Sequence, residues 1–331
     1  SNSNSFKVRT GFGTRIFNQS LGLYGYGNFY FKKYFYAYFF INNQTNEDVI
    51  ERYSKYSFYP SQNNISGFGF KNDWAILQFS TGNENWGSGN NIQLALTDDS
   101  PTYEYFMLAS DYGNLKVKYI HGLLESTKED VNRYIVARGL EWTNRKSLII
   151  GLSETIIYSG EGRGIEIAYI NPIGSHLEVE LNNRLTEQEG GDANAVWQIS
   201  TEWLFEKNIR ISSNILYDEF VLDRDIDIDQ KNRTAYSFGI LVSLSDTHKS
   251  NLKIYTSMIS IGTPTFRHAR GFNNFVQKSK PLGWKYGSDG REINFGLNYI
   301  KKKNFISWLE LGVRELGEES ILFKPYDDYD D

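Results

Sequence analysis

The sequence predicts an all-β fold, a single transmembrane antiparallel β-barrel of about 18 strands (16 to 18). Three observations predict it: an excess of aromatic residues with little proline, an alternation of apolar and polar residues with period two, and connections that are short and long in turn. A chain of 331 residues is a usual length for one barrel. We therefore expect one domain over residues 1–331, with long extracellular loops.

The composition supports strands and excludes several classes of function. Aromatic residues make up 16% of the chain, with 23 Tyr and 22 Phe against 6 Pro, a bias that favours β-strands. The absence of cysteine excludes disulfides and thiolate metal sites. A net charge of −5 without a basic stripe argues against nucleic acid as a partner. The mean hydropathy of −0.48 is compatible with a membrane barrel, because only every second residue of its strands faces lipid.

Apolar and polar side chains alternate in many segments. In 291–299 the odd positions from Ile293 onward are apolar, and Glu292 and Asn294 are among the polar even positions. The same split recurs in 176–182, 197–205, 209–217 and 235–244. Arg138 is an exception, because it falls on the apolar side of its segment.

This alternation predicts which side chains point into the barrel and which face lipid. The residues expected to point inward are Glu178, Glu180, Gln198, Glu202, Arg210, Asn214, Lys253, Glu292, Asn294 and Asn298, and those expected to face lipid are Leu177, Val179, Ile209, Ile211, Ile293 and Phe295.

The connections between these segments alternate in length. Short turns rich in charge, Gly or Asn occur near residues 32, 72, 112, 144, 206, 248 and 301, and longer polar loops occur at 45–63, 83–101, 125–131, 159–163, 186–194, 221–233 and 263–290. Short periplasmic turns and long extracellular loops are typical of outer-membrane barrels. We expect the bacterial outer membrane as the location and its lipid as a partner. A soluble all-β protein with many hairpins is the alternative, and polar residues along one face of nearly every strand argue against it.

Seven short motifs occur in a fixed order between residues 60 and 300. They are Trp86–Gly89 (WGSG), Leu94–Asp98, Gly151–Glu154 (GLSE), Gly160–Arg163 (GEGR), Asn171–Pro172, Pro281–Gly283 (PLG) and Gly287–Asp289 (GSD). Together and in this order they resemble the Wzi capsule-assembly family of bacterial outer-membrane proteins. The family carries a helical region before its barrel, whereas the strand pattern here begins by Phe6. We expect that helical part to be missing or trimmed.

The resemblance implies an outer-membrane barrel that is not an enzyme. Such a barrel holds capsular or other surface polysaccharide in the manner of a lectin, and it needs no cofactor. Surface polysaccharide is then a partner, and other envelope proteins are further candidates. Two other functions share the same polar interior: a diffusion porin for small polar solutes or oligosaccharides, and a barrel subunit of a larger envelope complex. An unplugged lumen would favour the porin.

The glycine-rich loop STGNENWGSGNN, at 80–91, contains the main candidate site. Sugars bind through apolar faces laid on aromatic rings and through hydroxyls paired with carboxylates, amides and Arg. Glu84, Trp86 and Asn90 supply that mixture. Two readings of Trp86 stay open: a plug that packs inside the barrel, which we favour, and a platform in direct contact with glycan. In both we expect the indole to fold inward, near the extracellular half of the lumen.

Other charged residues complete the candidate set. The resemblance implies that Glu154 points inward and pairs with Arg163 or another lumen cation, in a structural role. Arg163 is also a candidate glycan contact because its glycine-rich loop would let it reach the lumen. Arg267 and His268 lie in the longest loop, where a basic cluster would attract acidic glycans or be a solvated loop tip.

Motifs for catalysis or metal binding find little support. The four His are scattered and no nucleophile motif occurs. The run DRDIDID places Asp223, Asp225, Asp227 and Asp229 at alternate positions, as oxygen ligands of Ca²⁺ could be placed. Counted from Asp223, Ile228 and Thr234 stand where an EF-hand needs Gly and Glu. A solvated loop is favoured there, so we expect neither an enzyme nor a metal site.

Overall fold

Fifteen strands form one antiparallel sheet in which each strand pairs with its neighbours along the chain. The structure, a computed structural model, describes residues 6–17, 20–44, 64–126, 130–181, 193–218, 233–246, 250–301 and 305–329. A small hairpin, β14 and β15, lies within the connection from β13 to β16. The strands are β1 (Phe6–Phe17), β2 (Ser20–Phe31), β3 (Phe35–Gln44), β4 (Ile65–Lys71), β5 (Ala75–Gly82), β6 (Tyr103–Asp111), β7 (Leu115–Leu123), β8 (Val131–Thr143), β9 (Leu148–Glu161), β10 (Ala193–Phe205), β11 (Ile209–Asp218), β12 (Thr234–Asp246), β13 (Ser250–Ile261), β14 (Val276–Gln277), β15 (Lys280–Pro281), β16 (Gly290–Lys301) and β17 (Phe305–Leu316).

Two short helices lie in the connection from β9 to β10, α1 (Ile167–Ile170) and α2 (His176–Leu181). One 3-10 turn, Gly271–Asn273, lies in the connection from β13 to β16. No helix in the described ranges is long and apolar enough to cross a membrane.

The connections at one end of the sheet, called here the short-turn end, are tight for chemical reasons. At Asn144 the side-chain Oδ1 accepts hydrogen bonds from the backbone N–H groups of Lys146, Ser147 and Leu148 at 2.8 to 2.9 Å. Such a turn reverses the chain within a few residues. Among the predicted short turns, those near 32, 72, 112, 144 and 206 are confirmed. The Thr247–Lys249 turn, the turn after Lys301, the loop at 45–63 and the aspartate run at 223–229 lie outside the described residues.

The sheet curves around its own long loops. Ser88, in the loop after β5, donates its backbone N–H to Asn214 Oδ1 on β11 at 2.8 Å. Contact between such distant strands defines an inner face, toward the loops, and an outer face. In the described residues the edge strands β1 and β17 pair only with β2 and β16. The structure therefore shows fifteen wall strands in an unclosed sheet, whereas the sequence predicted a closed barrel of 16 to 18.

The predicted facing is confirmed on strands β10 to β16. Glu292 pairs in register with Ile259, which belongs to the inner core. Ile293 and Phe295, on the other face of β16, are 56% and 52% exposed. The same parity places the predicted polar residues from Gln198 to Asn298 on the inner face, because neighbouring strands continue the register.

The segment 176–182 is a correction to the prediction. Its alternation predicted a strand with Leu177 and Val179 toward lipid and with Glu178 and Glu180 inward. The structure instead forms α2, which Ser175 caps by accepting the N–H of Glu178 on its Oγ at 3.2 Å. Val179 is buried against an aromatic cluster on the outer face. An alternating segment of only seven residues beside a capping serine is compatible with a helix as well as with a strand, and here the cap and the packing on the wall stabilise the helix.

Candidate functional site

The connection between β5 and β6, residues 83–102 and called here the β5–β6 loop, folds into the interior. Ile92, Leu94 and Leu96 are buried completely or almost completely. Trp86 donates its backbone N–H to Leu96 O at 3.2 Å, which closes the loop on itself. Gly87 has a φ of +119°, and a Cβ there would stand 2.7 Å from Asn214 Oδ1. Glycine is therefore required at this position both by the backbone conformation and by the close wall.

Polar groups of the wall hold the loop in place. Asn214 Nδ2 donates to Ser88 O at 3.0 Å and to Ile92 O at 3.1 Å, while its Oδ1 accepts the Ser88 N–H. Ser237 Oγ donates to the same Ile92 oxygen at 2.6 Å. These bonds satisfy loop backbone groups that water cannot reach, so the inner polar face of β11 and β12 is a docking surface for the loop.

The connection between β13 and β16, residues 262–289 and called here the β13–β16 loop, closes the interior from the long-loop end. Thr97 donates its backbone N–H to Leu282 O at 3.0 Å, and Trp284 donates its backbone N–H to Leu94 O at 3.2 Å. From the wall, Arg133 donates to three carbonyl oxygens of this loop at 2.6 to 3.0 Å. Together the two loops fill the long-loop half of the interior, and we call them the plug.

The C-terminal segment, residues 317–329, packs on the plug. Arg267 is 2% exposed, and its Nη1 lies 3.2 Å from Glu319 Oε2. Lys324 approaches the other carboxylate oxygen of Glu319 at 2.5 Å. Hydrogen bonds from Lys324 and Arg267 lower the pKa of Glu319 below its ordinary value. Burial raises the pKa of Tyr326 to about 12, and its hydroxyl donates to Glu125.

Two of the cavities that the described residues enclose lie in the short-turn half of the interior. The first, called the Trp86 cavity, measures about 520 Å³ and is bordered by the Asn72–Trp74 turn and by Lys118. The second, called the Asn90 cavity, measures about 340 Å³. Its polar lining includes carboxylates, cations and amides from the wall and the plug, namely Asn90, Asp98, Asp99, Arg210, Lys253, Glu292, Asn294, Asn298 and Glu310.

Trp86 folds inward, as the sequence predicts, and lies at the boundary between plug and cavity. The indole is 7% exposed, and Lys118 Nζ lies 5.1 Å from its ring centroid. Glu84 forms an ion pair with Lys118 and accepts the hydroxyl of Tyr105 at 2.7 Å. A ring that is this deeply buried and already faces a cation offers little stacking surface. The position therefore favours the plug reading over the platform reading.

The structure does not bring the candidate glycan residues into one site. Glu84 and Trp86 lie together beside the first cavity, and Asn90 is exposed to the second. Arg163 lies on the outer wall, with its guanidinium 4.8 Å from the Tyr158 ring centroid. The pair at the long-loop end, Arg267 and His268, lies under the C-terminal segment, where His268 O accepts the Tyr329 N–H at 3.1 Å.

The expected Glu154–Arg163 pair is replaced by two other pairs, and neither points inward. Glu154 Oε2 accepts a hydrogen bond from Arg138 Nε at 2.6 Å, and both side chains are 7% exposed. Arg163 pairs with Glu166. Arg138 is the direct cross-strand partner of Glu154, whereas the β9–β10 connection carries Arg163 past the end of the strand. Both pairs lie on the outer face, with Leu152.

The residues that anchor the plug carry no signature in the sequence alone. Asn214 was predicted to point inward, but nothing in its segment indicated that it would bind the β5–β6 loop. Arg133 and the C-terminal segment were also missed, because the partners in these contacts lie 52 to 201 residues apart in the chain. One signal was available: Arg138 stood out on an apolar face, as a residue with a special partner would.

Comparison with known proteins gives a likeness of fold. No protein-family model and no curated protein sequence matches the chain. Among solved structures, the chain is similar to Wzi of Escherichia coli, described as an outer-membrane protein involved in group 1 capsule assembly and as a carbohydrate-binding β-barrel. The TM-score is 0.68 at 15% identity, over 97% of this chain and 73% of that chain.

Two further structures match at TM-scores that carry no argument. The outer-membrane protein OmpT of Vibrio cholerae matches with a TM-score of 0.47 at 11% identity, over 94% of this chain and 89% of that chain. The outer-membrane protein OprD of Pseudomonas aeruginosa matches with a TM-score of 0.41 at 8% identity, over 95% of this chain and 88% of that chain. The likeness to Wzi alone indicates that the chain has an outer-membrane β-barrel fold. At 15% identity this likeness is one of fold alone.

Proposed function

We propose that this protein resides in the bacterial outer membrane, binds carbohydrate and takes part in assembling capsular or other surface polysaccharide without catalysing a reaction. The single observation that carries the proposal is the plug. An outer face with Ile293 and Phe295 exposed suits lipid, while the interior behind it is filled by the plug rather than left as a channel. A plugged polar barrel suits binding better than diffusion.

We place the carbohydrate contact in the Asn90 cavity. Asn90 and Asn298 supply amides, Arg210 and Lys253 supply cations, and Glu310 is one of several carboxylates. Tyr255 also lines the cavity, is half-buried and offers ring surface. This mixture pairs both donors and acceptors of sugar hydroxyls. Trp86, Glu84, Arg163, Arg267 and His268 then serve to hold the plug or the outer wall, although their direct contact with glycan stays a hypothesis.

Binding of a panel of neutral and uronic-acid oligosaccharides to the purified protein in detergent micelles tests the proposal. We expect uronic-acid members to bind and the double variant Arg210→Ala, Lys253→Ala to lose about tenfold in affinity, or about 1.4 kcal/mol. The matched control is Lys280→Ala, which removes an exposed cation of the β13–β16 loop outside the cavity and should leave the affinity unchanged. Failure of every oligosaccharide to bind the parent protein would contradict the proposal.

A diffusion porin is the second candidate. The Trp86 and Asn90 cavities favour it, because they are polar and occupy the half of the interior that the plug leaves open. A steady conductance from the parent protein in planar bilayers, together with no oligosaccharide binding, would support the porin. Membership of a larger envelope complex stays a prediction that copurification from native membranes would test.

A further inference from the structure

The connection between β9 and β10 folds back along the outer wall instead of standing above it. Tyr119 on β7 donates its hydroxyl to Tyr169 O at 2.9 Å. Arg138 on β8 donates through Nη1 to Asn171 O at 2.8 Å, and Glu154 on β9 accepts the His176 N–H at 2.9 Å. We call residues 163–179 the cover segment.

The wall beneath the cover segment is unusually polar for an outer face. Besides the Arg138 pair, Glu154 accepts the indole N–H of Trp197 at 2.8 Å. His121 lies between the hydroxyls of Tyr119 and Tyr158 at 3.1 and 2.9 Å. All of these residues are buried or half-buried, although the same face carries exposed leucines nearer the short turns.

The depth of this polar patch indicates what surrounds it. Arg138 lies five residues from Thr143, the last residue of β8 at the short-turn end. A strand tilted by about 45° climbs about 2.3 Å per residue, so Arg138 stands about 12 Å above that end, near the middle of an apolar band about 25 Å tall. An ion pair at that depth is costly in contact with hydrocarbon. The cover segment removes it from that contact.

The exposed side of the cover segment is mostly apolar, with Asn171 and Glu178 as its exposed polar side chains. Ile167 and Ile173 are 82% and 89% exposed, and Ile165 and Ile170 are about half exposed. Isoleucine is among the residues most often buried, so a cluster of four marks a contact surface. The outer face of neighbouring strands, with Leu152 exposed, continues the same apolar surface.

A groove of about 850 Å³ runs between the cover segment and the wall of β4 to β7. Ile165 and Ile170 line one side. Phe68, Phe79 and Leu123 line the other, and each is 44% to 61% exposed. Thr81 and Glu104 place polar groups at the long-loop end of the groove. An apolar trough with a polar end, opening on a lipid-facing wall, matches an acyl chain below its head group.

We propose that the cover segment is embedded in the outer leaflet of the membrane and that an acyl chain of an outer-leaflet lipid occupies the groove. The lipid belt of the wall runs directly into the groove, which favours lipid over any other occupant. This proposal rests on the outer-membrane location given under Proposed function.

Single-cysteine variants test the embedding, because the chain contains no cysteine of its own. Nitroxide labels at Ile167→Cys, Ile173→Cys and Leu123→Cys are studied in phosphatidylethanolamine and phosphatidylglycerol vesicles. We expect all three labels to collide with oxygen more often than with a water-soluble nickel chelate. A label at Ile293→Cys, on the part of the outer wall that the cover segment leaves bare, should behave in the same way. A label at Ala269→Cys, exposed in the β13–β16 loop, gives the opposite pattern.

The control labels distinguish failure of the embedding from failure of the membrane location on which it rests. Nickel access at Ile167 and Ile173 while Ile293 stays oxygen-accessible would overturn the embedding alone. Nickel access at Ile293 as well would overturn the membrane barrel itself. Low access to both reagents at Ile167, with spin coupling between labels on two molecules, would show that a second copy covers the segment and would also overturn the proposal.

Native mass spectrometry tests the groove. We expect the parent protein in detergent to retain one diacyl lipid, and Ile170→Trp, which narrows the groove, to retain about fivefold less, or about 1 kcal/mol of binding. Phe295→Trp adds the same ring on the bare wall and should leave retention unchanged. Far-ultraviolet circular dichroism confirms that both variants fold. No lipid on the parent, or equal retention by Ile170→Trp, would overturn the assignment.

Discussion

The two halves of the interior contain similar polar side chains in different roles: in one half they bind loop backbone, and in the other they line a cavity. In the long-loop half, Asn214 and Arg133 are buried and bonded to loop backbone. In the short-turn half, Arg210 and Lys253 face a cavity, and Arg210 lies 3.5 Å from Glu202. A polar wall that is satisfied by its own loops makes a closed structure, whereas one left facing a cavity is available to solutes. The plug thus separates a structural half from a half suited to binding.

Replacing Trp86 should have the largest effect on this division. Trp86→Ala removes the buried ring at the boundary and is expected to lower the free energy of unfolding by about 3 kcal/mol, the lower end for such core truncations. Trp86→Phe keeps most of the packing and removes an indole N–H that has no hydrogen-bond partner among the described residues, so its effect should stay below about 1 kcal/mol.

Thermal unfolding in detergent micelles measures both Trp86 variants. Equal losses of stability in Trp86→Ala and Trp86→Phe would contradict this account, because they would mean that the ring of Trp86 is not packed between the two halves as the structure shows. Planar-bilayer conductance should rise for Trp86→Ala and stay at the parent value for Trp86→Phe.

Replacing one asparagine in each half, Asn214 and Asn298, should have the next largest effect on stability. Asn214→Ala leaves the backbone N–H and C=O of Ser88 without their wall partner, while Ile92 O keeps the hydroxyl of Ser237, and should cost about 2 kcal/mol of stability. Asn298→Ala removes a half-buried side chain that lines the Asn90 cavity and should cost less than about 0.5 kcal/mol. Denaturant unfolding measures both, and equal costs would mean that the halves do not differ as described.

The smallest effect is a pH dependence at the C-terminal segment. Since the pKa of Glu319 is lowered by Lys324 and Arg267, its contribution to docking is complete above the ordinary glutamate pKa of about 4.3 and is lost as the pH falls through the lower folded value. A nitroxide at Phe323→Cys, a largely exposed position, should become more mobile below that range. Adding Glu319→Gln should give the mobile spectrum at every pH, and a pH response in that variant would assign the effect to another group.

The sequence predicted the parts of the fold that rest on local rules. Period-two alternation identified β16 and the facing of Glu292 and Ile293, and turn chemistry identified Asn144. It failed at 176–182, where a serine cap and packing on the wall outweighed a short alternation. The count of 16 to 18 strands also exceeded the fifteen in the described sheet, partly because that helical segment was counted as a strand.

The site was less predictable than the fold, because its contacts join residues far apart in the chain. The inward course of Trp86 followed from the cost of exposing an indole, but its partner Lys118 did not. Glu154 lies on the same face as Leu152, which is the outer face. The GLSE motif alone does not indicate which face of the strand Glu154 occupies. Arg138, odd on its apolar face, was the correct clue to the Glu154 pair.

Planar-bilayer conductance of the parent protein tests the central claim, a closed plug above a binding half, most directly. The plug predicts a closed parent in which Trp86→Ala opens a measurable conductance, and in which uronic-acid oligosaccharides added from the short-turn side reduce that conductance. A parent that conducts steadily at the level of Trp86→Ala would show that the loops do not close the interior and would contradict the account.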